Sequence, residues 1–280
     1  YTEDPAELAG ADVAIVGAPT DDLVSDRPGT RYGPRAIRAA SCPPGPHLEA
    51  GVDALAELRV VDFGDAPVLP ADAAASQRAI EDTVGQVVAA GVLPFVLGGD
   101  HSITEPNVRA CVAGSRPIGL VHFDTHTDTG TEVFGVELSH GTPMYKLVEQ
   151  GIVDPSRYVQ IGLRGYWPGE KEFSWQREHG IRSFFMHDVR ERGIGAVVEE
   201  DARGIAEQAP RPPQDHGSAD DTHHGIEPRP AQPETGGQRH DGEDRGQRVG
   251  HDVQVGRALR AAVADSGTLT IRLGRFSTDY

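Results

Sequence analysis

From about residue 13 to residue 198 the chain alternates short apolar runs with longer stretches of mixed polarity. Runs at 13–17, 58–62, 93–97, 118–123, 158–161 and 181–185 are rich in Val, Ile, Leu and Phe and do not alternate strictly with polar residues. Strands buried on both faces read this way, and strands separated by helices predict a parallel sheet covered by helices. The clearest helix is expected over 71–91, where Ile80, Val84, Val87 and Val88 recur at helical spacing. Periodicity leaves an antiparallel or mixed sheet of the same strands open.

The pattern stops near residue 200. Between residues 201 and 255 there is no Leu, Phe, Tyr or Trp, while Pro, Gly, Gln, His, Asp and Arg dominate. Such a stretch cannot bury enough apolar surface to offset a backbone entropy cost of about 1–2 kcal/mol per residue, so disorder is expected. A helix-like run at 258–264 and a strand-like run at 269–273 follow, each without neighbours in sequence to pack against. The expected organisation is one α/β domain over 1–200 and a polar tail over 201–280. At 280 residues and 38% apolar content, a sizeable core is within reach.

Chemistry concentrates at the ends of two predicted strands. The first is followed by Gly98-Gly99-Asp100-His101-Ser102, a turn at the carboxyl end of a strand, where open α/β sheets bind their ligands. The second runs into His122-Phe123-Asp124-Thr125-His126-Thr127-Asp128. In an extended segment Asp124, His126 and Asp128 would share one face at two-residue steps, and His101 would face the same crevice. Carboxylates and imidazole without thiolate suit manganese, zinc or another first-row ion better than calcium, and a carboxylate can bridge two ions. A polar loop whose groups only hydrogen-bond one another is the alternative.

Together with Ser139-His140-Gly141-Thr142-Pro143, these motifs resemble the ureohydrolase family of arginases, agmatinases and guanidino-acid hydrolases. The loop and helix start beginning Arg27-Pro28-Gly29-Thr30-Arg31-Tyr32-Gly33-Pro34, and the element Gly162-Leu163-Arg164-Gly165, are similar to that family as well. The resemblance implies a three-layer αβα arginase-like fold with a central parallel sheet. It implies two manganese ions, His101 and Asp128 on one, His126 on the other and Asp124 touching both. His140 resembles the family's proton-shuttling histidine. The reaction so implied hydrolyses a guanidino compound to urea and an amine, with two ions about 3.5–4 Å apart generating hydroxide from a shared water. An imidazole of ordinary pKa about 6.5 suits protonation of the leaving amine. Agmatine is the substrate the loops resemble most, with 4-guanidinobutyrate and related acids close behind. No substrate-binding residue can be singled out; Arg164 and Trp167 are near the right part of the chain but equally suited to packing and surface roles.

After residue 200 the chain departs from the family. A second metal motif, S-x-D-x-D, and a later guanidinium-binding Glu are missing. Ser218-Ala219-Asp220-Asp221 has the wrong spacing and Asp241-Gly242-Glu243 lies in a Gly-rich run, so both read as solvated charge. A frame change near codon 200 explains this better than a divergent extension, because Lys146 and Lys171 are the only lysines and arginine-rich composition suits GC-rich coding. The C-terminal part of the fold is therefore expected to be missing or scrambled, an inner strand to be left unpaired, and metal to bind weakly. An inactive remnant, a subunit that pairs with an intact homologue or binds a ligand without turnover, competes with the enzyme reading.

Charge and cysteine content narrow the setting. With 26 basic and 43 acidic residues the net charge is −17, which disfavours nucleic acid and anionic membranes and leaves a small guanidino substrate as the expected partner. Identical subunits are expected to associate if the fold is intact. Cys42 and Cys111 lack disulfide-framework spacing and read as reduced thiols, which points to the cytoplasm. No run approaches the roughly 20 apolar residues of a membrane span, and no signal peptide is evident. The start at Tyr1 rather than Met suggests a missing N-terminal piece.

Overall fold

A computed structural model of the chain describes residues 1–41, 45–49, 51–113, 118–166, 169–207 and 269–273. All six expected strands form. In one sheet β1 (Val13–Ala18) lies between β2 (Val60–Asp65) and β3 (Leu93–Gly98). In the other, β4 (Gly119–Phe123), β5 (Tyr158–Leu163), β6 (Arg182–Phe185) and β7 (Leu269–Leu273) follow the order β6-β5-β4-β7. Every pairing between these strands is parallel, which removes the antiparallel alternative. The first helix, α1, spans Gly33–Ala40. β2 starts two residues later than its apolar run because Leu58 closes a short helix, α2 (Ala54–Glu57), its N–H bonding to Ala54 O at 2.9 Å.

The helix expected over 71–91 is α3 (Ala73–Ala89), begun by Asp72, whose carboxylate accepts from Ala75 N at 2.9 Å. Its Ile80, Val84 and Val87 pack on Ala14, Val16, Ala18 and Phe63 of the first sheet. The second sheet is covered on both faces. Leu120 and Tyr158 meet Val108 of α4 (Thr104–Ala113), Met144 and Leu147 of α5 (Pro143–Glu149) and Trp175 of α6 (Glu170–Glu178). On the opposite face Val121, Val159 and Ile161 meet Val189 of α7 (Met186–Arg192) and Val197 and Val198 of α8 (Ile194–Glu207). This is a helix–sheet–helix sandwich, the layered α/β architecture expected.

Two expectations about the C-terminal part change. The strand-like run at 269–273 does have a neighbour: it pairs with β4, from Gly119 opposite Leu269 to Phe123 opposite Leu273. β4 is therefore flanked on both sides. Among the described residues the edges are β2 and β3 in the first sheet and β6 and β7 in the second, and on β3 Leu93 and Phe95 are 50% and 57% exposed. Helix α8 also continues past residue 200. The rest of the stretch expected to be disordered, the run at 258–264, both acidic clusters of the tail, Trp167 and Cys42 lie outside the described residues. Among the described residues no helix is long and apolar enough to cross a membrane.

Leu147 is fully buried between α5 and the second sheet. Leu147→Ala should cost about 2–5 kcal/mol of stability, read as a lowered midpoint in urea unfolding. An unchanged midpoint would contradict this packing.

Candidate metal centre

β3 leads into a turn at Gly98-Gly99-Asp100. Gly99 has φ +112°, and a Cβ there would lie 2.4 Å from Ala18 O and 2.7 Å from Thr20 O, so the turn admits only glycine. Asp100 then accepts from Ser102 N at 2.8 Å through one oxygen and from Leu23 N at 3.3 Å through the other. His101 is thereby set at the first turn leading into α4.

β4 ends at Phe123, yet Asp124 N still bonds to Ile161 O of β5 at 3.1 Å. Asp124 thus continues the face carrying His122. Beyond it the chain curls, and Asp128 adopts φ +48°. The two-residue stepping expected through Asp128 stops at Asp124. Residues 124–128 form a loop instead, held by Met144 N on Asp128 O at 3.1 Å and Arg164 N on Thr125 O at 3.1 Å.

The fold brings His101, Asp124 and Asp128 together. His101 Nδ1 hydrogen-bonds Asp128 Oδ2 and lies 3.9 Å from Asp124 Oδ2. His122 Nε2 is 3.5 Å from that same Asp124 oxygen, and these four residues offer ligand atoms all within 4.8 Å of one another. His126 stands on the other side. It is half exposed, and its Nδ1 lies 3.6 Å from Asp124 Oδ1. His122 was not among the expected site residues. Its signal was available in the period of two along β4, which sets His122 and Asp124 on one face.

Burial pushes the Asp124 pKa up, but hydrogen bonding with His122 and His126 and the nearby His101 hold it well below the usual carboxylate range. Buried Asp128 is likewise opposed by desolvation and held low by His101. The nearby Asp124 and Asp128 carboxylates raise His126 above its ordinary value. Two ionised carboxylates facing imidazoles, with no thiolate, form a donor set that fits a first-row divalent cation.

His140 precedes α5, with its Nδ1 2.6 Å from Leu23 O and 3.3 Å from Ser139 Oγ. A carbonyl only accepts, so Nδ1 carries the proton and Nε2 is the basic nitrogen of the neutral ring. Leu23 therefore joins two motifs, Asp100 through its N–H and His140 through its carbonyl. Its loop is braced by buried Asp21, which accepts from Gly29 N at 2.5 Å, Arg31 N at 3.2 Å and the Arg31 guanidinium.

Residues 11–211 match the family model described as Arginase family. The chain belongs to the arginase family. Guanidinopropionase of Pseudomonas aeruginosa is 42% identical over 206 residues, 72% of this chain and 63% of that protein. Guanidinobutyrase of the same organism is 39% identical over 201 residues, 71% and 63% of the two chains. Among solved structures, proclavaminate amidino hydrolase from Streptomyces clavuligerus superimposes with TM-score 0.66 at 32% identity, covering 73% of this chain and 68% of that one. Trypanosoma cruzi formiminoglutamase with Mn2+2 gives TM-score 0.64 at 28% identity, covering 70% and 67%. The expected arginase-like fold is thus borne out. This arginase-family chain spans a little under two thirds of the length of the curated relatives it matches.

A histidine must be neutral to bind a cation, so the raised pKa of His126 makes metal uptake compete with protons. Binding of a divalent cation at His126 should release protons and tighten as pH rises from about 6 to 8. Titration calorimetry in buffers of different ionisation enthalpy reads both effects; affinity independent of pH over that range would contradict the geometry at His126.

Proposed function

We propose that this chain acts as a divalent-metal hydrolase of guanidino compounds, releasing urea and an amine. One observation carries the reading: Asp124 turns Oδ2 toward His101 and His122 and Oδ1 toward His126, so one carboxylate can serve two ions. His101 and Asp128 would hold the first ion, His126 the second, and Asp124 both. Manganese is the proposed metal, in keeping with the Mn2+2 of the Trypanosoma cruzi structure. When bound, a pair of such ions lowers the pKa of water and supplies a nucleophile near neutral pH.

The remaining work falls to the chain. Asp124 and Asp128, held ionised, favour a cationic guanidinium beside them. His140, its Nδ1–H spent on the Leu23 carbonyl, has Nε2 to carry a proton to the leaving amine. Two relatives, 42% and 39% identical over 206 and 201 residues, act by name on guanidinopropionate and guanidinobutyrate, against 33% over 208 residues for an agmatinase of Chromobacterium violaceum, and this identity favours an ω-guanidino acid as substrate. Agmatine, expected from the loops, is kept by the 42% identity to the mitochondrial agmatinase of Gallus gallus over 171 residues. A cytoplasmic setting and association of identical subunits belong to the same proposal.

A second reading, an inactive remnant, is favoured by the open outer edge of β3 among the described residues and by a family match that ends at residue 211. Urea release by the full chain with added manganese separates the two. Release from 3-guanidinopropionate, 4-guanidinobutyrate or agmatine, abolished in His126→Ala, is expected of the enzyme. A folded, manganese-loaded chain that releases no urea from any of the three sinks that reading in favour of the remnant.

A further inference from the structure

Behind the carboxylates, on the face of the second sheet covered by α5 and α6, lies a polar network with no part in the reaction outlined above. His122, Thr127, Thr129, Tyr158, Gln160 and Gln176 are all buried. Buried polar groups are costly unless donors and acceptors match, and here the matching gives each bond a direction. Gln160 Nε2 is 2.6 Å from the Thr127 carbonyl, which only accepts, so the Gln160 amide NH2 must point there. Its Oε1 accepts from Gln176 Nε2 at 2.6 Å, and Gln176 Oε1 in turn accepts from the Ser183 hydroxyl at 3.3 Å.

Gln160 directs its second amide proton at the Tyr158 oxygen, 2.5 Å away. Tyr158, whose pKa burial raises well above its ordinary value, keeps its own proton. That proton has His122 Nδ1 in front of it at 3.1 Å. Gln160 Nε2 lies 3.0 Å from the same ring nitrogen. Both Gln160 amide protons are already directed at Thr127 and Tyr158, so the donor to Nδ1 is the Tyr158 hydroxyl. Nδ1 is therefore the acceptor, and the ring proton sits on Nε2, 3.5 Å from Asp124 Oδ2.

We propose that Ser183, Gln176, Gln160, Tyr158 and His122 form a positioning relay that fixes His122 in its Nε2–H tautomer and aims that proton toward Asp124 Oδ2, 3.5 Å away. Gln160 at the same time pins the loop through the Thr127 carbonyl. The relay prepares the carboxylate before any cation arrives: Oδ2 faces the Nε2–H of an imidazole held at Nδ1 by Tyr158, and Oδ1 faces His126. Ligating carboxylates held by an outer hydrogen bond bind metal more tightly, with losses of about 10–100-fold on removing the partner. The relay's purpose rests on the metal-site reading above. Its proton positions do not.

Two measurements on the full chain test it. In metal-free protein labelled with 15N-histidine, long-range 15N–1H correlation should find His122 protonated at Nε2 and bare at Nδ1. A His122 protonated at Nδ1, or at both nitrogens near neutral pH, overturns the relay whatever the activity. Second, His122→Gln keeps an amide donor at the reach of Nε2, whereas His122→Leu has none. Manganese affinity should fall by about 10–100-fold in His122→Leu and stay within a few-fold of the parent in His122→Gln. Parental affinity in a folded His122→Leu chain overturns the proposal. Should that variant fail to fold, the tautomer of the parent decides. A parent chain that binds no manganese would remove the metal-site reading and leave the relay to be judged on the tautomer alone.

Discussion

The parallel register of β4 on β5, Leu120 opposite Tyr158 and His122 opposite Gln160, is the constraint on which the metal centre depends. Side chains alternate along a strand, so this register sends Leu120, His122 and then Asp124 to the α5 and α6 side. Val121, Phe123, Val159 and Ile161 go to the other side, against α7 and α8. The face toward α7 and α8 thus carries a continuous apolar cluster, while the other turns from apolar to polar as it nears the strand ends. A slip of one residue would bury His122 and Gln160 against valines and expel Val121. The apolar layer on one face therefore holds the register that the polar groups on the other require.

The surrounding loops are tied to that strand end mainly through backbone groups. Leu23 reaches both Asp100 and His140, Met144 N holds Asp128 O, and Arg164 N holds Thr125 O. Such bonds fix where the chain runs without consuming the side chains that carry chemistry. Asp21 makes the same economy in the early loop, where one buried carboxylate satisfies two backbone N–H groups and the Arg31 guanidinium together. Five segments of the sequence are by these means gathered at the carboxyl ends of β3 and β4, where parallel strands expose their last side chains to a crevice.

The strands and α3 were legible because runs of β-branched residues and a helical apolar face are local properties. His101, Asp124 and Asp128 were legible because their spacing resembles a known family's motif. What escaped depends on tertiary context. The start of β2 was misjudged because a single helical turn claims Leu58, which apolarity alone cannot reveal. The extended stepping beyond Asp124 failed because Asp128 takes a positive φ, imposed by contacts with a segment sixteen residues later. The role of His122 was hidden by its position inside an apolar run, since only the identity of its neighbours across the sheet, Tyr158 and Gln160, shows that the ring has hydrogen-bond partners.

Charge compensation makes the two proposed ion positions unequal. Two divalent ions about 4 Å apart repel by roughly 17 kcal/mol at an effective dielectric near 20. Asp124 and Asp128, both buried and ionised, balance one such ion on the His101 side. On the far side, among the described residues, only the shared Asp124 and the neutral form of His126 face the second. An ion at His101 would therefore enter a site already of matching charge, and one at His126 would have to overcome both the first ion and the raised proton affinity of that imidazole. On the proposed reading the His101 side would fill first, and the Asp124 carboxylate, faced from behind by His122, would decide whether the second position fills at all.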